Sequence, residues 1–139
     1  MIAYLSFDGR CAEALDFYAA ALGGRKTMQS TYGEAPPAPD CPPASDEWKD
    51  RVMHARIEAR GLTLMGSDMP PGMPFEGYKG FSLTVSTHDK AEGERLFNAL
   101  AAGGQVTMPY SATFWSAGFG MLVDRFGVSW MVNTEPAAA

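Results

Sequence analysis

The sequence predicts an α+β protein made of two tandem βαβββ modules forming a curved mixed sheet around a cleft. Two observations carry this prediction. The first is an internal repeat. Phe17-x-Ala19-x-x-x-Gly23-Gly24-x-x-Thr27-Met28 returns as Phe97-x-Ala99-x-x-x-Gly103-Gly104-x-x-Thr107-Met108. Further along each half, Gly61-x-x-x-Met65 returns as Gly127-x-x-x-Met131. The second spacing is shorter than the first by about fourteen residues, so the first copy carries an insertion. The Pro-rich run at 34–46 is its candidate. The second observation is alternation. Successive strand residues point to opposite faces, and the first, third, fourth, fifth and last predicted strands then separate one aliphatic or aromatic face from one mixed face.

The elements follow in order. A strand is predicted over Ile2–Phe7. Asp8 or Gly9 opens a helix with Cys11, Leu15, Tyr18 and Leu22 along one face, and Gly23-Gly24 ends it. A strand covers Arg25–Thr31. The loop at 34–46 comes next, as an ordered lid or a disordered segment. Strands over Arg51–Ala59 and Leu62–Ser67 are joined at Arg60-Gly61. In the second copy Phe81–Val85 is a strand. Asp89 and Glu92 resemble a capping box, and a helix runs to Ala102. Strands near Gln105–Ser111, Gly118–Val123 and Val128–Asn133 complete the unit. One domain over 1–139 is expected, with module 1 at 1–68, a stiff linker at 69–78 and module 2 at 79–135.

Composition narrows the partners. Apolar residues make up 46% and charged residues 19%, which fits a globular chain rather than a disordered one. The net charge of −5 comes with no basic cluster, which argues against a nucleic-acid surface. Apolar runs are too short to span a bilayer. The first residues lack the basic start of a signal peptide and read as a strand, so a cytoplasmic protein is expected. Cys11 and Cys41 are expected as free thiols, and without a C-x-x-C pair a structural zinc site has no support.

The mixed faces nominate a site. Tyr4 and Ser6 oppose Ala3, Leu5 and Phe7. His54, Arg56 and Glu58 oppose Met53, Ala55 and Ile57. Met65 and Ser67 oppose Leu62 and Leu64. Gly80, Ser82 and Thr84 oppose Phe81, Leu83 and Val85. Met131 and Asn133 oppose Trp130 and Val132. Hydroxyls, thioethers, an imidazole and a guanidinium suit a pocket lining better than a solvated face. A dimer interface or a second packed core is the competing reading.

These segments carry a resemblance. The doubled βαβββ pattern resembles the vicinal oxygen chelate superfamily of glyoxalase I, extradiol dioxygenases and the bleomycin and fosfomycin resistance proteins. Tyr4–Gly9, Ala14–Tyr18, Asp46–Asp50, Met53–Arg56, Leu64–Asp68, Leu96–Leu100 and Phe119–Met131 are more narrowly similar to its PhnB-like branch, often labelled demethylubiquinone methyltransferase-like. The resemblance implies a cleft that usually holds a divalent metal through His and Glu on the first and last strands of each module. The sequence departs from that set. Ile2, Ala3 and Tyr4 stand at the first strand, Met65 and Met131 at the closing strands, and Gly80 near the start of the second module. Such metals need carboxylate, imidazole or thiolate donors. No cofactor is therefore expected, with a divalent metal as the alternative. The methyltransferase label meets a further objection. No G-x-G-x-x-G is present, and a duplicated antiparallel pattern leaves no parallel switch point.

His54 is the candidate catalytic residue, as general base or donor, against a structural histidine. Tyr4, Ser6, Arg56, Met65, Ser82, Thr84, Trp115, Met121 and Met131 are the candidate substrate-binding residues. Arg56 could clamp an anion or pair with Glu58, Asp68 or Asp124. Trp115 sits in an aromatic strand-loop-strand that could wall a pocket or cover a partner's sheet edge. Cys11 reads as core and His88 as an exposed residue at a helix entry. Three functions remain in play: a metal-free binder or enzyme for a small amphipathic molecule, a divalent-metal lyase or dioxygenase, and a structural or interaction module. A small-molecule ligand is the expected partner, with a homodimer implied by the resemblance and no nucleic acid or membrane.

Overall fold

The computed structural model describes residues 1–36, 44–70 and 72–136. The expected lid at 34–46 lies partly, and Cys41 wholly, outside the described residues. The chain divides into two compact units, Met1–Glu76 and Gly77–Ala139, with the division inside the expected linker.

The first unit contains β1 (Ala3–Phe7), α1 (Cys11–Leu22), β2 (Arg25–Thr31), a short 3-10 turn (Tyr32–Glu34), β3 (Val52–Ala59) and β4 (Leu62–Asp68). The second contains β5 (Leu83–Thr87), α2 (Lys90–Ala101), β6 (Gln105–Ser111), β7 (Gly118–Val123) and β8 (Ser129–Thr134). Each unit has one four-stranded sheet, in the orders β1-β4-β3-β2 and β5-β8-β7-β6. The architecture is α+β with two matching modules, as the repeat requires.

The mixed sheet is as expected, but the duplicated pattern is not antiparallel throughout. The sheets are mixed, because β1 runs parallel to β4 and β5 parallel to β8. The hairpins β3-β4 and β7-β8 are antiparallel, and only those are visible as local turns. A first strand laid beside the last one is a long-range pairing with no local sign. The parallel pair does not open a nucleotide site at its helix. The N-terminus of α1 is filled from within, since the backbone N–H of Cys11 donates to Asp68 Oδ1 at 3.0 Å. The other oxygen of that buried carboxylate accepts from Val52 N at 2.9 Å. Asp68 thus ties the start of the helix, the start of β3 and the end of β4 together. A negative group at a helix N-terminus also complements the helix dipole.

Alternation places most of each core, although Leu62 and Phe81, assigned to the apolar faces, are exposed. Leu5, Phe7, Ala55, Ile57 and Leu64 are buried against Cys11, Leu15, Tyr18 and Leu22 of α1. Val85, Leu122, Trp130 and Val132 are buried with Leu96, Phe97 and Leu100 of α2. Full burial of such a side chain is worth about 1.5–3 kcal/mol, so these two faces drive each unit's folding.

The helices depart from strict repetition. α1 ends at Gly23 with φ 70°, and Gly24 N donates back to Ala19 O at 2.8 Å. α2 stops at Ala101, one residue short of expectation. Ala102 (φ −59°, ψ 121°) and Gly103 (φ 77°) form a type II turn closed by Gly104 N and Ala101 O at 2.9 Å. The helix faces differ as well. Phe97 is buried, whereas Phe17, its partner in the repeat, is only half-buried. Asp89 does cap α2, accepting from Ala91 N at 3.0 Å.

The fifth strand also begins later than expected, at Leu83 rather than Phe81. Gly80 turns the chain at φ 79°, and Phe81 packs edge-on to Tyr78 at 6.3 Å. Phe81 and Ser82 therefore precede the sheet, and Ser82 is not a strand residue of the mixed face.

Candidate functional site

The helix of the first unit covers one face of its sheet. The other face carries the chemistry. Backbone register sets Tyr4 beside Met65, Met65 beside Arg56, and Arg56 beside Met28. A second row pairs Ser6 with Ser67 and His54 with Ser30. Five of the nominated residues, Tyr4, Ser6, His54, Arg56 and Met65, share this face.

Two of them are bonded. The Tyr4 hydroxyl lies 3.0 Å from His54 Nδ1, and the rings stack with centroids 5.7 Å apart and planes 22° apart. When the hydroxyl donates to Nδ1, the imidazole proton resides on Nε2. His54 is half-buried and Tyr4 is half exposed, so the pair lies at the surface of the face rather than inside the core.

Arg56 takes the ion-pair option. Its Nη2 lies 2.8 Å from Glu58 Oε1, two residues along the same strand face. Glu58 also approaches Arg25, at 4.0 Å. Two polar atoms of the face are buried without a hydrogen-bond partner among the described residues: Arg56 Nε and Ser30 Oγ. Ser30 was not nominated from the sequence. Strand β2 carries irregularities on both sides of it, between Lys26 and Met28 and between Ser30 and Thr31, and these obscure simple alternation.

The corresponding face of the second unit has a different character. Thr84 stands beside Met131, Met131 beside Met121, and Met121 beside Met108. Ser86 pairs with Asn133, and Asn133 with Phe119. Asn133 Oδ1 is a third buried atom without a hydrogen-bond partner among the described residues. Position for position, thioethers and Phe119 replace the guanidinium and imidazole of the first unit. Trp115 lies off the sheet in an aromatic cluster, 4.8 Å from Phe114 and 5.7 Å from Phe119 by ring centroids. Phe114 is 97% exposed.

The remaining candidates resolve as structure. Cys11 is buried, and burial followed by the Asp68 charge pushes its thiol up to about 12. Thiolate chemistry needs the opposite shift. The Tyr32 phenol is raised by burial and by Asp68, and its hydroxyl donates to the Asp68 carbonyl at 2.8 Å. Trp48, within the acidic run 46–50, meets Tyr32 edge-on, and Arg51 lies 4.3 Å over its ring. His88 is exposed, 3.5 Å from Glu135. A groove of about 610 Å³ runs past Gly24, Arg25, Glu58, Arg60 and Leu62 at the far end of the β3-β4 hairpin. It includes none of the nominated residues.

The divalent metal that the resemblance implies does not fit this donor set. Thioethers occupy both closing-strand positions. Among the described residues no three His, Cys, Asp or Glu side chains gather where they could hold an ion, and an open catalytic site needs about three protein ligands.

Comparison with known proteins agrees with the fold. Protein YjdN of Escherichia coli (strain K12) is 38% identical over 136 residues, covering 94% of this chain and 91% of YjdN. The crystal structure of PA1353 from Pseudomonas aeruginosa superposes with a TM-score of 0.86 at 47% identity, over 99% of this chain and 98% of that one. A PhnB protein from Bacillus cereus gives 0.77 at 28% identity, over 99% and 98%. A glyoxalase-related enzyme from Fulvimarina pelagi shares the fold, with a TM-score of 0.62 at 15% identity over 97% and 88%. The family model described as 3-demethylubiquinone-9 3-methyltransferase matches residues 1–133. The chain belongs to this PhnB-like family.

Proposed function

We propose that this chain binds a small molecule, without a divalent metal, on the open face of its first sheet. Tyr4, Ser6, His54, Arg56 and Met65 are the recognising residues, and His54 is the candidate acid-base group. The observation that carries the reading is the Tyr4–His54 pair. A buried structural histidine has both nitrogens engaged. Here one nitrogen is held by a surface phenol and Nε2 has no hydrogen-bond partner among the described residues, an arrangement suited to meeting a ligand. Thr84, Met121 and Met131 offer a second, apolar surface for the same kind of molecule. The free buried thiol of Cys11 suits a reducing compartment such as the cytoplasm.

A thermal-shift screen with a metabolite library tests this. A ligand at a hundred times its Kd adds about 2.7 kcal/mol, roughly 5–10 °C for a chain of this size. At least one compound is expected to stabilise the native protein and to lose most of that effect in His54→Ala and Tyr4→Phe. Zinc, nickel and manganese are expected to give no comparable shift. The reading fails if nothing stabilises the native protein, if His54→Ala responds equally, or if purified protein carries stoichiometric metal.

A second reading concerns assembly. The exposed Phe114 and Trp115 favour a homodimer in which a second copy covers the aromatic loop.

A further inference from the structure

We propose that the first sheet's open face recognises a monoanionic carboxylate, held by Arg56 Nε–H and Ser30 Oγ–H. The proposal rests on the small-molecule reading above and names the class of molecule. Both atoms are buried and without a hydrogen-bond partner among the described residues. Such atoms are rare in folded proteins, and each costs about 1–3 kcal/mol while it lacks a partner. Arg56 Nε can only donate. A group that satisfies it must be an acceptor.

The register brings the donors together. Ser30 lies directly opposite His54, and Arg56 is two residues along the same strand and face. Diagonal neighbours of this kind stand about 7–8 Å apart at the backbone, within reach of a long side chain. His54 Nε2–H makes a third donor when Tyr4 holds Nδ1. The neighbours of Arg56 in register are Met28 and Met65. Both are unbranched and rotatable, and such side chains yield readily to an approaching ligand.

Charge selects a monoanion. Glu58 Oε1, 2.8 Å from Arg56 Nη2, fixes the guanidinium and cancels part of its charge. Arg25 beyond it, 4.0 Å from Glu58 Oε2, leaves the patch one cation in excess on a chain of net charge −5. A dianion would meet Glu58 at close range. A planar carboxylate offers two oxygens to two convergent donors.

The test is a two-dimensional 1H–15N titration that follows the Arg56 Nε–H resonance, identified by its loss in Arg56→Lys. Acetate, benzoate and 4-hydroxybenzoate are compared with their neutral amides at fixed pH and ionic strength. At least one carboxylate is expected to move the resonance downfield to saturation while its amide does not. Ser30→Ala should weaken that binding about 5–10-fold, the loss of one hydrogen bond, with the remaining spectrum unchanged. Arg56→Lys should abolish it. Equal responses to acid and amide, a resonance that no carboxylate moves, or binding that survives Arg56→Lys would overturn the assignment. If neutral compounds stabilise the protein through His54 while no carboxylate moves Nε–H, only the carboxylate assignment falls. If neither class binds, the small-molecule reading falls with it.

Discussion

Single residues divide here into those that hold the fold and those left available, and burial separates them. Buried Cys11 and Asp68 and the half-buried Tyr32 form a polar knot at the start of α1. The thiol is raised from 9.0 to about 12 by desolvation and by Asp68. The folded protein therefore keeps this proton over a range in which the unfolded chain releases it. The unfolded state binds fewer protons there, so stability falls as pH rises from 9 towards 12 and is unaffected by this group below 9. Tyr32 is shifted in the same direction and adds to the slope. Urea denaturation at pH 8, 9, 10 and 10.5 should show the decline, and Cys11→Ala should flatten part of it. An identical slope in that variant would mean the thiol is not the group responsible. The sequence made Cys11 legible as core through its place on the apolar stripe. It did not show Asp68 as the acceptor for the helix start, because that bond joins residues 57 positions apart. Tyr4 and His54 could be assigned to one face by alternation. Their hydrogen bond could not, since it depends on which strands are neighbours.

At the scale of elements, the repeat predicts equal mechanics in both copies. After each helix a Gly-Gly pair carries the chain to the next strand. The second glycine of each pair lies against backbone. A Cβ on Gly24 would stand 2.3 Å from the Glu58 carbonyl oxygen, and one on Gly104 would stand 2.2 Å from that of Val123. Main chain in a hairpin cannot move aside as a side chain can. Gly24→Ala and Gly104→Ala should each cost about 3 kcal/mol or more. Gly23→Ala meets nothing within 4 Å and suffers only its left-handed backbone, about 1–2 kcal/mol. Urea midpoints of the three variants decide the matter. If Gly24→Ala is as mild as Gly23→Ala, the close helix-to-hairpin approach is not rigid. The repeated glycines were readable because they punctuate the chain. The helix faces were less so: α2 ends through a type II turn and α1 through a left-handed cap, and the repeat-related Phe97 and Phe17 differ in burial. A mixed sheet was expected, but which strands form the parallel pairs β1-β4 and β5-β8 was unreadable, because local patterns report hairpins and not the return of a distant strand.

For the whole molecule, duplication has produced two related faces with unequal chemistry. Tyr4, His54 and Arg56 give the first sheet its polar groups, while the second sheet presents Thr84, Met121 and Met131. An interaction role can accordingly fall to the second unit without touching the polar face. Phe114, 97% exposed, and Trp115, 49% exposed, lie in the loop between β6 and β7. Two adjacent aromatic rings offer about 150–250 Å² each for burial, and a partner that covers them removes a large apolar area from water. A stable interface needs about 1,200–2,000 Å² in all, so this loop would be its apolar centre rather than its whole extent. Central aromatic residues are also where interfaces concentrate their energy. Sedimentation velocity at micromolar concentration should find a dimer. The double substitution Phe114→Asp with Trp115→Asp should convert it to monomer without lowering the melting temperature of the monomer itself, because neither ring belongs to a core. A native monomer at that concentration, or a double variant that stays dimeric, would remove the aromatic loop from the assembly.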